Sequence, residues 1–205
     1  MSTETINNLN SANVLGYYES IRSVFYVKLG VLGFFEAGNI TEHQTISNAA
    51  SEMALALGMN FDAAVLGNIS EEVVDNLKED AITALIVSSW NVFEQVIKDL
   101  ASPGYASSSV KLNADFYKKI FGYTQPEIAE IEFFYHLRNA IAHYNGTYHA
   151  YKMVDVSYNN RKFKSDGHIG EKIEVDFPLA FSISNDLEKY AMQAWSAAAQ
   201  PAGRS

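Results

Sequence analysis

Hydrophobic residues recur at three- and four-residue steps along most of the chain, the spacing of helices with one buried face. This pattern predicts a helix over residues 13–35, a second over about 42–57 and a long third over 71–100. Ser70 precedes two glutamates and is a good N-cap for the third helix. The pattern therefore favours a mainly α fold.

Two shorter helices are predicted after the long one. Asn113 caps the first, and Gly122 closes it just after position 121. Thr124, followed by a proline and by Glu127, begins the second. We expect this second helix to end at Asn145-Gly146, where an asparagine and a glycine allow a left-handed stop.

The hydrophobic period then changes to alternation, which is typical of strands. Residues 148–158 predict one strand, and Asn159-Asn160 is a typical turn sequence. A second turn is predicted at 165–167, and a returning strand over 169–177 ends at Pro178. We therefore expect a β-hairpin inserted at about 147–178.

Ser184 is predicted to cap a final helix that ends near Ala199. The expected organisation is an acidic helical extension over 1–69, a helical bundle with the inserted hairpin over 70–200, and a disordered tail over 201–205.

Composition narrows the class of protein. The chain of 205 residues is of single-domain size and contains no cysteine, which excludes disulfides, thiolate metal sites and a cysteine nucleophile. Its start lacks the basic and apolar regions of a signal peptide, and the early apolar run 24–35 is too short to span a bilayer. We expect a cytoplasmic protein without a membrane partner.

The net charge of −9 is unevenly distributed. Residues 1–80 contain 11 acidic and 3 basic residues, whereas residues 81–205 contain 13 acidic and 12 basic ones. Either the acidic part is an ordinary solvated surface, or it contacts a basic partner.

The stretch 133–146 is an apolar helix that carries polar groups, which are costly to bury unless they are satisfied. Tyr135, Asn139 and His143 follow one another at four-residue steps and share a stripe of the helix. Arg138 lies about 140° around the axis from His143, so its long side chain must lean round to reach the imidazole.

A histidine and an arginine together suit one reaction that needs no metal, the attack of an RNA 2′-hydroxyl on the adjacent phosphodiester. Histidine can give and take protons, and arginine can hold a phosphate with two hydrogen bonds. No histidine pair has metal-site spacing, so no metal or other cofactor is expected. A glycine-rich phosphate loop is absent, and Ser88 and Ser89 lack a nucleophile elbow, which gives no support to a kinase or a serine hydrolase.

Residues 138–143, read as an arginine, a polar residue, three further residues and a histidine, resemble the signature of HEPN domains. The apolar helix before them and the earlier helix around Glu94 are also similar, and the resemblance covers about 70–200. It implies a dimeric helical bundle that cleaves RNA without metal, often in toxin–antitoxin or antiviral systems. It also implies that Arg138 and His143 are catalytic, that Asn139 orients the histidine or the phosphate, and that Glu94 is a supporting polar partner.

The resemblance implies that two copies of the motif meet across a homodimer to form a composite site, and that a cognate antitoxin or another protein is a candidate partner. The alternative function is a catalytically inactive binding or regulatory module that dimerises through the same helix. In that case Arg138, Asn139 and His143 form a structural polar cluster.

The hairpin supplies basic and aromatic residues that could contact RNA, or that are simply solvated. The candidates for RNA contact are Lys152, Arg161, Lys162 and Lys164 on the hairpin, and Tyr144 at the end of the preceding helix. Tyr148, Tyr151 and Tyr158 are available for stacking on bases.

Overall fold

The structure, a computed structural model, describes residues 11–36, 48, 51–58, 71–100, 114–148, 156–164 and 168–199. The described chain is mainly helical, as predicted. Five numbered helices and two short strands follow one another in the order α1 (Ser11–Glu36), α2 (Glu71–Leu100), α3 (Ala114–Phe121), α4 (Gln125–His143), β1 (Val156–Tyr158), β2 (Arg161–Phe163) and α5 (Phe177–Ala199).

The helices predicted from long periodic patterns are confirmed. The expected helix over 13–35 lies within α1, and the expected helix over 71–100 coincides with α2. The predicted second helix is helical at residues 48 and 51–56, and the rest of its range lies outside the described residues. The expected cap at Asn113 and the expected disordered tail over 201–205 also lie outside them.

The hairpin is tighter than predicted. Strand β1 pairs antiparallel with β2, and Tyr158 lies opposite Arg161. Asn159 and Asn160 have φ angles of 49° and 60°, so they form the predicted turn. Two consecutive left-handed residues reverse the chain at once, which places the partner strand immediately after the turn. The predicted returning strand over 169–177 is reduced to a single antiparallel bridge between Thr147 and Lys172, flanked by backbone hydrogen bonds from Tyr148 to Glu171 and from Ile173 to Gly146. The predicted turn at 165–167 lies outside the described residues.

The last helix begins earlier than predicted. Phe177 and Pro178 form its first turn, and the Oδ1 atom of Asp176 accepts a hydrogen bond from the Leu179 N–H at 2.9 Å. Asp176 is therefore the residue that caps α5, and a proline at the start of a helix costs no hydrogen bond. The predicted cap at Ser184 is wrong, because Ser184 is fully buried in the interior of the helix.

The described residues form two compact units. One contains residues 11–22 together with the described residues from Ile82 onward, and the other lies within Ser23–Ala81. The predicted boundary between 1–69 and 70–200 stays a prediction, since residues 59–70 lie outside the described part of the chain.

Within the first unit, aromatic contacts hold α4 on both sides. The Trp90 ring on α2 lies 5.7 Å from the Tyr135 ring, and the Phe163 ring on β2 lies 4.5 Å from the Phe133 ring. Phe133, Phe134 and Leu137 of α4 are at most 1% exposed. Aromatic pairs of this kind add about 0.5–1.5 kcal/mol each beyond their burial. The helix that carries the candidate site is therefore fixed between α2 and the hairpin.

Candidate functional site

The start of α4 is fixed by a capping box. The Glu127 carboxylate accepts hydrogen bonds from the Thr124 N–H at 2.7 Å and from the Thr124 hydroxyl at 2.8 Å. Burial tends to raise the pKa of Glu127, but the hydrogen bonds from Thr124 outweigh it and lower that pKa below its usual value. The predicted start at Thr124 is confirmed.

The end of α4 places His143 at its last position. The N–H groups of Tyr144 and Gly146 both donate to the Ala140 carbonyl, at 2.9 and 3.0 Å. Asn145 and Gly146 have φ angles of 52° and 71°, so the chain turns through the left-handed region as predicted. His143 is therefore the last residue of α4, where the chain leaves the helix.

Arg138 and His143 meet within one chain. The Nη1 atom of Arg138 lies 3.4 Å from the Nε2 atom of His143, and it donates a hydrogen bond to Asn139 Oδ1 at 2.9 Å. The long side chain of Arg138 therefore leans round the helix to reach the imidazole, which backbone geometry alone left open. Asn139 thus holds the guanidinium rather than the histidine ring in this structure.

The three side chains differ in their exposure. His143 is exposed, whereas Arg138 and Asn139 are half-buried. Among the described residues, the Nε atom of Arg138 is buried and has no hydrogen-bond partner, and such groups are uncommon in folded proteins. Tyr144 is 48% exposed, and its ring lies edge-on to the His143 ring at 6.4 Å. The site is therefore an accessible imidazole and tyrosine beside a partly desolvated cation.

The two supporting residues, Tyr135 and Glu94, form contacts of their own on α4 and α2. Tyr135 packs against Trp90 and also lies edge-on to His136, with the ring centres 5.3 Å apart. Glu94 forms an ion pair with Lys98 at 3.1 Å, one turn along α2. These contacts fix α2 and α4, and a role of Glu94 or Tyr135 at the motif stays a prediction.

The basic residues of the hairpin have different environments. Arg161 forms an ion pair with Asp176, the residue that caps α5, so it ties the hairpin to the start of that helix. Lys162 is exposed, and Lys152 lies outside the described residues. Burial tends to raise the pKa of Asp176, but the hydrogen bonds from Arg161 and Leu179 and the charge of Arg161 together lower that pKa below its usual value. Arg161 is therefore at least partly structural.

Tyr158 is not available for stacking on a base. It is 5% exposed, and its hydroxyl donates to Asp186 Oδ2 at 2.7 Å. Burial, and then the hydrogen bond to Asp186, raise the pKa of Tyr158 well above its usual value. The expectation of a stacking role is wrong for Tyr158 because its ring is packed against Phe133 and Phe134. Tyr148 is half-buried, and Tyr151 lies outside the described residues.

Sequence reasoning missed a polar cleft of about 340 Å³ between the hairpin turn and α5. One wall is anchored by Arg22, whose Nη1 atom donates to Asn185 Oδ1 at 3.1 Å and also pairs with Glu188. No short-range pattern connects a turn residue to a helix residue 26 positions later, so the sequence gives no signal for it. The cleft is lined by Tyr158, Asn159, Ser182, Asn185 and Asp186.

The residues that the structure describes contain no group of three or more histidine, aspartate, glutamate or cysteine side chains arranged to hold a metal ion. Over the same ranges, no helix is both long enough and apolar enough to cross a membrane.

Comparisons of the chain with protein-family models, with curated proteins and with solved structures found no match. The motif and the geometry of its side chains are therefore the observations that bear on function.

Proposed function

We propose that this protein is a HEPN-type endoribonuclease that cleaves RNA without a metal ion, in a composite site at a homodimer interface. The observation that carries the proposal is the contact between Arg138 and His143, 3.4 Å apart at the exposed end of α4. A cation and an imidazole in contact are the groups that phosphodiester cleavage by a 2′-hydroxyl requires.

In the proposed reaction, a base removes the proton from the 2′-hydroxyl, and the 2′-oxygen attacks the adjacent phosphorus. The bond between phosphorus and the 5′-oxygen breaks, and an acid protonates the leaving 5′-oxygen. The products are a 2′,3′-cyclic phosphate and a 5′-hydroxyl. Arg138, held by Asn139, would bind the phosphate and stabilise its developing negative charge.

Proton removal and proton delivery use two groups in opposite protonation states. One copy of the motif supplies a single imidazole, His143. The second group in the proposed site is His143 of a second copy, which is the chemical reason for a homodimer. By the resemblance, the protein would act in a toxin–antitoxin or antiviral setting, with an antitoxin or another protein as an additional partner.

One observation favours the alternative of an inactive module that dimerises through α4. Arg138 is half-buried and bonded within its own helix by Asn139, as in a structural polar cluster. The two functions differ in what Arg138→Ala removes. In an inactive module, Arg138→Ala would abolish dimerisation. In an endoribonuclease, it would remove the cation that binds the phosphate.

The test is cleavage of a mixed-sequence RNA in EDTA by wild type, Arg138→Ala and Arg138→Lys, with oligomeric state measured by light scattering. We expect Arg138→Ala to lower the single-turnover rate by about 10²–10³-fold. Lysine lacks the two-pronged geometry, so Arg138→Lys should restore only part of that rate. A wild type that cleaves no RNA, together with an Arg138→Ala protein that no longer dimerises, would establish the inactive module instead.

A further inference from the structure

Exposed apolar side chains are concentrated in one of the two compact units. In the described part of the chain, eight of the twelve large exposed apolar residues lie within Ser23–Ala81. Leu55 is 80% exposed, Val27 68%, Leu57 66% and Met53 63%. Single exposed apolar residues are ordinary on a protein surface, but a concentration of this kind marks an interaction site.

These side chains follow helical spacing. Val24 and Val27 are three residues apart on α1, and residues three apart on a helix are surface neighbours. Met53 and Leu57 are four residues apart, at the helical residues 51–56 and the turn that follows. Ala54 is the one buried residue within 51–58, and the methionine and leucines of this segment are exposed to solvent.

The same unit carries most of the negative charge. Residues 23–81 contain nine acidic and two basic residues, a net charge of −7, and the remaining residues have a net charge of −2. Five acidic side chains of this unit are exposed to solvent: Glu52, Glu72, Asp75, Glu79 and Asp80. Two copies meeting through this unit would bring two charges of −7 together, which opposes self-association. RNA and anionic bilayers are repelled for the same reason.

We propose that the unit Ser23–Ala81 docks a basic amphipathic helix of another protein. Leucine-type anchors of that helix, spaced three and four residues apart, would contact the exposed residues Met53 and Leu57, which share one side of their segment. Flanking lysine or arginine side chains would pair with the exposed carboxylates, which speeds association and selects the partner by charge. The site is separate from the chemistry proposed for His143, so the two proposals stand or fall independently.

The test uses a fluorescent peptide of leucine and lysine, about 14 residues long, with its leucines at helical spacing. Fluorescence anisotropy with the full chain should show this peptide binding about tenfold more tightly than a peptide of the same composition in shuffled order. The double variant Met53→Ser with Leu57→Ser should weaken binding about tenfold. Both residues are exposed, so thermal melts of this variant should match those of wild type.

Three controls make the result decisive. Ile120→Ser alters an apolar residue that is 43% exposed outside this unit, and it should leave the affinity unchanged. Glu52→Gln should weaken binding and reduce its dependence on salt, and His143→Ala should bind the peptide like wild type. Equal binding of the shuffled peptide, or an equal loss from Ile120→Ser, would overturn the proposal. So would a dimer that becomes a monomer when Met53 and Leu57 are replaced, because the face would then belong to a second copy.

Discussion

The hydrogen bond between Ser89 and Ser184 is expected to hold α2 against α5. The Ser89 hydroxyl donates to Ser184 Oγ at 2.8 Å, and both residues are fully buried. Replacing either serine by alanine leaves the other hydroxyl buried without this partner, which costs about 1–2 kcal/mol. Replacing both removes the buried donor and the buried acceptor together, so the double variant should cost about as much as either single variant.

The assay is urea unfolding followed by tryptophan fluorescence, which reports on Trp195 of α5 and on Trp90, a residue next to Ser89 and only 2% exposed. With a slope of about 2 kcal/mol/M for a chain of this size, each single variant should lower the midpoint by about 0.5–1 M. The double-mutant cycle should show a coupling of about 1 kcal/mol.

A control on the same helix separates the buried bond from a general effect of losing a hydroxyl. The Ser182 hydroxyl donates to the Pro178 carbonyl at 3.0 Å and is not buried. Ser182→Ala should therefore change the free energy of unfolding by less than about 0.5 kcal/mol. The reasoning would be refuted if the Ser89 and Ser184 costs add to within about 0.5 kcal/mol, because the two hydroxyls would then be uncoupled.

Three further predictions follow from the contacts around the site. Because the pKa of Tyr158 is raised in the folded protein, its contribution to stability is full below about pH 10 and is lost as the pH rises further. Between pH 8 and pH 11, the urea midpoint of Tyr158→Phe should therefore fall by less than the urea midpoint of wild type. Asp176→Ala should cost about 1 kcal/mol at pH 7 through loss of the helix cap. Because the folded pKa of Asp176 is lowered, thermal melts should show this difference shrinking as the pH falls from 6 towards 3. Asn139→Ala should lower RNA cleavage by about tenfold, less than Arg138→Ala, because it releases the guanidinium without removing it.

Long periodic patterns predicted the helices well because each pattern reports one buried face over many residues. The ends of α4 were also predictable, since Thr124 and Asn145-Gly146 act through local backbone geometry. The start of α5 was not, because its first residues also suit a strand, and the capping bond of Asp176 decides the outcome.

The contacts between side chains at the site were harder to predict from the sequence than the helices that carry them. The contact of Arg138 with His143 was foreseeable only as a possibility, because it depends on which way a long side chain leans. The burial of Tyr158 depends on its packing against Phe133 and Phe134, which lie more than twenty residues away in the chain. No local spacing could therefore assign Tyr158 to the core rather than to a base-stacking surface.

The central claim is that His143 transfers protons during RNA cleavage, and the most direct measurement is single-turnover cleavage in EDTA by His143→Ala. The matched control is His168→Ala, which alters another exposed histidine, one paired with Glu171 at 2.7 Å. The account predicts a loss of about 10²–10⁴-fold for His143→Ala, no change for His168→Ala, and 2′,3′-cyclic phosphate ends on the wild-type products. Equal cleavage rates for wild type and His143→Ala would contradict it.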